Sequence, residues 1–125
     1  MDKWGYLVIG GMLGTLARYT LAGMVTHRAG MDFPYGTLVV NLAGCFLVGF
    51  LDVLAERKFQ AVPQTRLLFV TGFCGAFTTF SAFILESYAL IKAGAMLKAL
   101  INVVASVSIG LILFRIGIIA AERIF

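Results

Sequence analysis

Residues Gly72-Phe-Cys-Gly-Ala-Phe-Thr-Thr-Phe-Ser-Ala-Phe83 form the most informative stretch of this chain. They lie inside a longer run, Leu67 to Leu85, that carries no charge and is typical of a transmembrane helix. Two glycines, two threonines and a serine are poorly suited to a continuous lipid-facing helix. A break at membrane depth frees backbone carbonyls, which are tolerated only inside protein, around an ion or beside a wet cavity. The sequence therefore predicts a functional site here.

The composition places the whole chain in the membrane. Of its 125 residues 61% are hydrophobic and 13% are charged, whereas a soluble domain has about 45–50% apolar and about 25% charged residues. Four apolar blocks are each long enough to cross the bilayer as a helix. The first is too long for a signal peptide, so we expect a retained helix. The sequence predicts one all-α transmembrane domain over residues 1–125, with helices at about 4–26, 33–55, 65–91 and 95–121, the third of them broken.

Positive charges divide almost evenly between the two predicted sides of the membrane, which leaves the orientation open. Either the short connections carry little information, or the chain inserts in both orientations and pairs antiparallel. The net charge of +4 fits contact with anionic membrane lipid rather than nucleic acid, because no basic run is interleaved with aromatic residues.

Small residues recur at spacings that let helices approach closely. Gly10 and Gly14 lie four apart on the first helix, and Ser106 and Gly110 lie four apart on the fourth. Packing within one chain explains any single pair. Their number, in a bundle too small to enclose a pathway, leads us to expect a homodimer.

Two polar stripes at membrane depth are candidates for a conduction path, because polar side chains are costly there. Asn41 is equally compatible with holding helices together and with contacting an anion through its amide N–H groups. An isolated serine commonly bonds its own helix backbone. If the two stripes face each other, however, they would line a narrow water-filled pathway. They consist of Thr37, Asn41 and Gly44 on the second helix and Asn102, Ser106 and Gly110 on the fourth.

Phe80 and Phe83 lie three apart, beside Thr78, Thr79 and Ser81. Phenylalanines in a membrane helix usually face lipid or pack in the core. A phenyl ring also has a positive edge, and edges turned into a pore attract an anion. The neighbouring hydroxyl groups favour this second interpretation.

The charged residues argue against catalysis. No carboxylate lies in the middle of a predicted helix, and Glu86 is expected near the membrane interface. The single histidine, His27, lies in a connection beside Arg28. With no carboxylate pair, HExxH motif or nucleophile–base set, we do not expect an enzyme. A proton-coupled transporter would also need a mid-membrane acid.

Three stretches of the chain resemble one known family. In order and spacing, they resemble the signature segments of the Fluc (CrcB-type) fluoride channels. The three stretches are Gly14-Thr-Leu-Ala-Arg18-Tyr19, Gly36-Thr-Leu-Val-Val-Asn41-Leu-Ala-Gly44 and the stretch from Gly72 to Phe83. Four helices in a chain of this length match the family as well. The resemblance covers essentially the whole chain.

The resemblance implies passive fluoride efflux from the cytoplasm, which reduces fluoride toxicity. It implies a dual-topology antiparallel homodimer in a prokaryotic cell (inner) membrane, with two fluoride pores built from both subunits. It also implies a structural Na⁺ ion, held by the backbone carbonyls of Gly75 and Thr78 from each subunit. No organic cofactor is expected.

The resemblance further implies roles for single residues. Asn41 matches the pore asparagine, Phe80 and Phe83 match rings whose edges face the ion, and Arg18 matches the arginine of the vestibule. Polar side chains predicted to line the same pore are those of Thr37, Thr79, Ser81, Asn102 and Ser106.

At three positions this chain has a residue that differs from, or varies within, the pattern of the family. Ala76 stands where a second glycine is common in the family, and we expect its φ to stay negative. Ala82 stands where threonine is common, so a hydroxyl is missing there. Asn102 occupies a place where tyrosine also occurs.

Two other functions stay open at this point. A small dual-topology multidrug-type exporter would share the four helices, but that class needs a carboxylate in the first helix, where this chain has Arg18. A structural subunit without transport predicts that Asn41→Asp and Phe80→Ile leave every flux unchanged.

Overall fold

The computed structural model describes residues 2–58 and 63–125, and these residues form helices without any strand. Four helical spans are long and apolar enough to cross a membrane: Lys3–Ala29, Tyr35–Lys58, Pro63–Lys92 and Met96–Ile124. The predicted all-α membrane architecture with an interrupted third helix is confirmed. The chain is a multi-pass membrane protein.

The third span is composite, whereas the other three are continuous helices. In chain order the elements are α1 (Lys3–Ala29), α2 (Tyr35–Lys58), α3 (Pro63–Arg66), a π-helical segment (Leu67–Cys74), α4 (Gly75–Phe77), α5 (Phe80–Lys92) and α6 (Met96–Ile124). The helices α1, α2 and α6 each run three residues past the predicted ends at about 26, 55 and 121. Basic side chains in their last turns favour this extension, because cations stabilise a helix C-terminus.

The interruption falls at Thr78 and Thr79, between α4 and α5. Both residues are extended, with φ/ψ of −94°/158° and −149°/116°. Gly75 is helical, with φ −60° and ψ −35°, so the break follows the glycines. Ala76 has a negative φ as expected, since no non-glycine residue in the described ranges has a positive one.

The π-helical segment, in which each N–H bonds five residues back, packs its backbone directly on α1. A Cβ added to Gly10 would collide with the carbonyl oxygen of Leu68, and one added to Gly14 would collide with that of Phe73. A Cβ on Gly72 would lie 3.1 Å from the Gly10 Cα. The first and third spans therefore approach as closely as residues without side chains permit.

Other glycines face neighbours within the same chain. A Cβ on Gly49 would collide with the carbonyl oxygen of Phe114, and one on Gly110 would lie 3.2 Å from the Cys45 sulfur. These contacts bring α2 and α6 together along their length. The predicted glycine spacings thus serve packing inside one chain, and their number gives no argument for a second subunit.

Candidate functional site

The Asn41 side chain of α2 holds the break in the third span. Its Nδ2 donates to the Thr79 carbonyl oxygen at 3.0 Å, and its Oδ1 accepts from the Thr79 N–H at 2.8 Å. The two bonds fix the orientation of the carboxamide and satisfy both backbone groups of a residue that lies outside the helices. Asn41 therefore joins two spans, and one of its N–H groups is left for another partner.

Arg18 and Thr78 bind two further carbonyls beside the break. Arg18 Nε donates to the Ala76 oxygen at 3.1 Å. Thr78 bonds the Cys74 oxygen twice, through its N–H at 3.1 Å and through its Oγ1 at 3.0 Å. The Thr79 hydroxyl caps α5 by accepting from an N–H of the first turn at 3.3 Å. Side chains thus satisfy several of the backbone groups around the interruption.

The carbonyls of Gly75, Phe77 and Thr78 are different. Across residues 2–58 and 63–125, no hydrogen bond ends on any of these three oxygens. A Cβ on Gly75 would meet nothing within 4 Å, so this part of the break opens to the outside of the chain. Unpaired carbonyls at membrane depth need a ligand, and such oxygens bind alkali cations.

A cavity of about 370 Å³, the inner cavity, adjoins the break. The Phe80 and Phe83 rings in its wall have centroids 5.8 Å apart and planes tilted by 51°. The Ser106 hydroxyl is buried without a hydrogen-bond partner. The cavity brings together the predicted pore residues Asn41, Thr79, Phe80, Phe83 and Ser106. Because the wall offers N–H, O–H and phenyl groups without a carboxylate, it is suited to an anion.

A larger cavity of about 730 Å³, the outer cavity, reaches the same break at Thr79. Arg18, Thr37 and Glu86 lie in its wall. The Thr37 hydroxyl donates to Glu86 Oε1 at 2.9 Å, and Glu86 Oε2 is buried without a partner. The pairing of Glu86 was not predicted, although it is the one carboxylate in the third apolar block of the sequence.

Two predicted pore residues lie outside both cavities. Ser81 is exposed on α5, and its hydroxyl lies 3.5 Å from that of Thr79. Asn102 is buried between α5 and α6, where its Nδ2 donates to Ser87 Oγ at 2.9 Å. Sequence reasoning missed Ser87, whose only signal is its position one helical turn after Phe83.

Known proteins resemble this chain over nearly its full length. A model of the family described as CrcB-like protein, Camphor Resistance (CrcB), matches residues 5–118. The chain is 42% identical over 122 residues to the fluoride-specific ion channel FluC of Desulforapulum autotrophicum, with 98% of each chain covered. It is 41% identical over 121 residues to the protein of the same name from Solibacter usitatus, with 97% of this chain and 99% of that one covered. The chain therefore belongs to the CrcB-like family.

Proposed function

We propose that this chain is a fluoride-selective ion channel that lets fluoride leave the cytoplasm passively and so reduces fluoride toxicity. The observation that carries the proposal is the inner cavity, where amide, hydroxyl and phenyl groups converge without a carboxylate. The printed names of the relatives, fluoride-specific ion channels, agree with this chemistry. Like them, the chain is a channel and not an enzyme.

Fluoride selectivity follows from the donors that replace water. Fluoride is small and strongly hydrated, so it enters a narrow pore only where N–H and O–H groups take the place of its hydration shell. The second N–H of Asn41 and the O–H of Ser106 have no partner in the described part of the chain. The edges of Phe80 and Phe83 add partial positive charge. Chloride is larger and fits such a wall less well.

The outer cavity is the entrance in this proposal. Arg18 lies in its wall, and a cationic side chain in a cleft raises the local concentration of anions. The same guanidinium bonds the Ala76 carbonyl. Arg18 thus attracts anions and fixes the element that carries the break.

The proposal includes an antiparallel homodimer with two pores. A single chain leaves the Phe80 ring 75% exposed and leaves the space above Gly75 open, although both residues adjoin the break. A second copy in the opposite orientation would cover them. The nearly even distribution of positive charge permits insertion in both orientations.

The Gly75 and Thr78 carbonyls of both copies would hold a structural Na⁺ ion. They fit this role because both oxygens lack a hydrogen-bond partner and because neutral carbonyls bind alkali cations. Prolonged replacement of Na⁺ by N-methylglucamine should then lower the dimer fraction in size-exclusion chromatography and slow fluoride flux. If neither changes, the ion is no part of the mechanism.

Purified protein in liposomes tests the function. With K⁺ and valinomycin setting the voltage, a fluoride electrode should record release, and a chloride electrode should record none. Asn41→Asp and Phe80→Ile should reduce the release. Absence of fluoride release, or equal release of chloride, would refute the proposal. Proton-driven ethidium transport without fluoride release would instead favour the multidrug-type exporter.

A further inference from the structure

We propose that Ser87 and Asn102 are positioning residues, which set the rotation of α5 and thereby the direction of the Phe83 ring edge. This inference rests on the proposed fluoride-channel function. It gives Asn102 a role other than the pore contact that its place in a polar stripe predicts. It also assigns a role to Ser87, which no sequence motif indicates.

Ser87 and Asn102 form a buried polar contact between α5 and α6. Ser87 is 6% exposed and Asn102 is 2% exposed, and the Asn102 Nδ2 to Ser87 Oγ distance is 2.9 Å. It is the one side-chain hydrogen bond that joins α5 to α6 in the described ranges. Removing either partner leaves the other without a hydrogen bond in an apolar surrounding, which is unfavourable.

The helix α5 depends on such contacts because the break separates it from the rest of the third span. It has 13 residues, and its rotation is set by neighbours rather than by a continuous helix before it. On the α2 side, Asn41 holds the backbone of Thr79 and Thr37 holds Glu86. The Ser87–Asn102 bond supplies the corresponding contact on the α6 side.

Phe83 connects this contact to the inner cavity. Phe83 and Ser87 lie four residues apart, hence on one face of α5, and Phe83 is 8% exposed. The ring lines the inner cavity while Ser87 does not. A rotation of α5 that breaks the Ser87–Asn102 bond would therefore change the direction of the Phe83 ring in the cavity wall.

A direct contact of Asn102 with fluoride is the competing explanation. Ser106, one turn later on α6, lines the inner cavity, and Asn102 does not. The two explanations differ in what they require of Ser87. If Asn102 contacts fluoride directly, its substitution slows fluoride release whether or not Ser87 is intact. If the two residues position α5 together, substituting both slows release no more than substituting one.

The test is a double-mutant cycle on fluoride release from liposomes, with Ser87→Ala, Asn102→Ala and the double variant. We expect each single variant to slow release about tenfold, the scale of one buried unpaired group, and the double variant to be no slower than either. Ser87→Thr keeps the hydroxyl and should release fluoride at close to the wild-type rate. Ser108→Ala, at an exposed serine of α6, is the matched control and should have no effect.

The outcomes separate this inference from the proposed function. Absence of release by the wild type refutes the channel, whereas wild-type release that Ser87→Ala leaves unchanged refutes positioning alone. A slow Asn102→Ala beside a normal Ser87→Ala, or additive losses in the double variant, also refutes it. If Ser87→Ala is not recovered as monodisperse protein, Ser87→Cys keeps the volume, weakens the hydrogen bond and is read in the same way.

Discussion

Asn41→Leu tests the pair of bonds between α2 and the break, because leucine keeps the size of the side chain and removes both bonds. The substitution leaves the Thr79 N–H and C=O unpaired at membrane depth. Each unpaired buried group costs about 1–3 kcal/mol, so opening of the break should become easier by about 2–6 kcal/mol in total. Since about 1.4 kcal/mol corresponds to a factor of ten, the open population should rise at least roughly 30-fold.

Cys74 reports this opening directly. Its side chain is 1% exposed, and its carbonyl accepts both bonds from Thr78 beside the break. In a Cys45→Ala background, the rate of its modification by a thiol-reactive dye in detergent measures how often the segment opens. Asn41→Leu should raise this rate at least roughly 30-fold. Ser108→Ala is the control, because this exposed serine of α6 makes no bond to the break and its substitution should leave the rate within about threefold of the parent. A rate for Asn41→Leu inside that same range would refute the reasoning.

Three further substitutions address other contacts. Gly10→Ala places a methyl group against a backbone carbonyl and should lower the apparent melting temperature in detergent by several degrees, whereas Gly11→Ala meets nothing within 4 Å and should leave it unchanged. Equal melting temperatures would contradict the close helix contact. Thr37→Val removes the hydroxyl that bonds Glu86, and we expect fluoride release to slow by about tenfold; normal release would show that this bond is dispensable. Arg18→Gln should slow release more at about 0.01 M than at about 1 M ionic strength, because salt screens the attraction of anions. A loss that does not vary with salt would mean that Arg18 acts only through its bond to the third span.

The parts of the fold that depend on local pattern could be predicted from the sequence. Uncharged runs of helical length identify the four spans, and a cluster of glycine and hydroxyl residues in the third predicts that it is interrupted. Periodicity alone places Thr37 and Asn41 on one face of α2. All of these follow from spacing along the chain, and no knowledge of tertiary contacts is needed.

The parts that depend on contacts between spans could not be predicted. Glycines inside a helix are commonly taken as its breaking point, but Gly72 serves the contact with α1 and Gly75 is helical. The extended conformation of Thr79 is instead stabilised by Asn41, which lies 38 residues earlier. Asn102 shares a stripe with Ser106, yet its partner is fixed by the packing of α5 on α6. Such pairings are decided by how the helices dock.

The π-helical segment has a consequence for the length of the third span. Before the segment, Arg66 forms an exposed ion pair with Asp52 at 2.6 Å, and after it Thr79 is held by the bonds of Asn41. A wide turn between these contacts holds one more residue than an α-helical turn. Deletion of one residue here would therefore move Gly72 out of its contact with Gly10, just as deletion from α2 would rotate Asn41 away from the break. The extra residue thus keeps the glycine contact on α1 and the break beside Asn41 in register with each other.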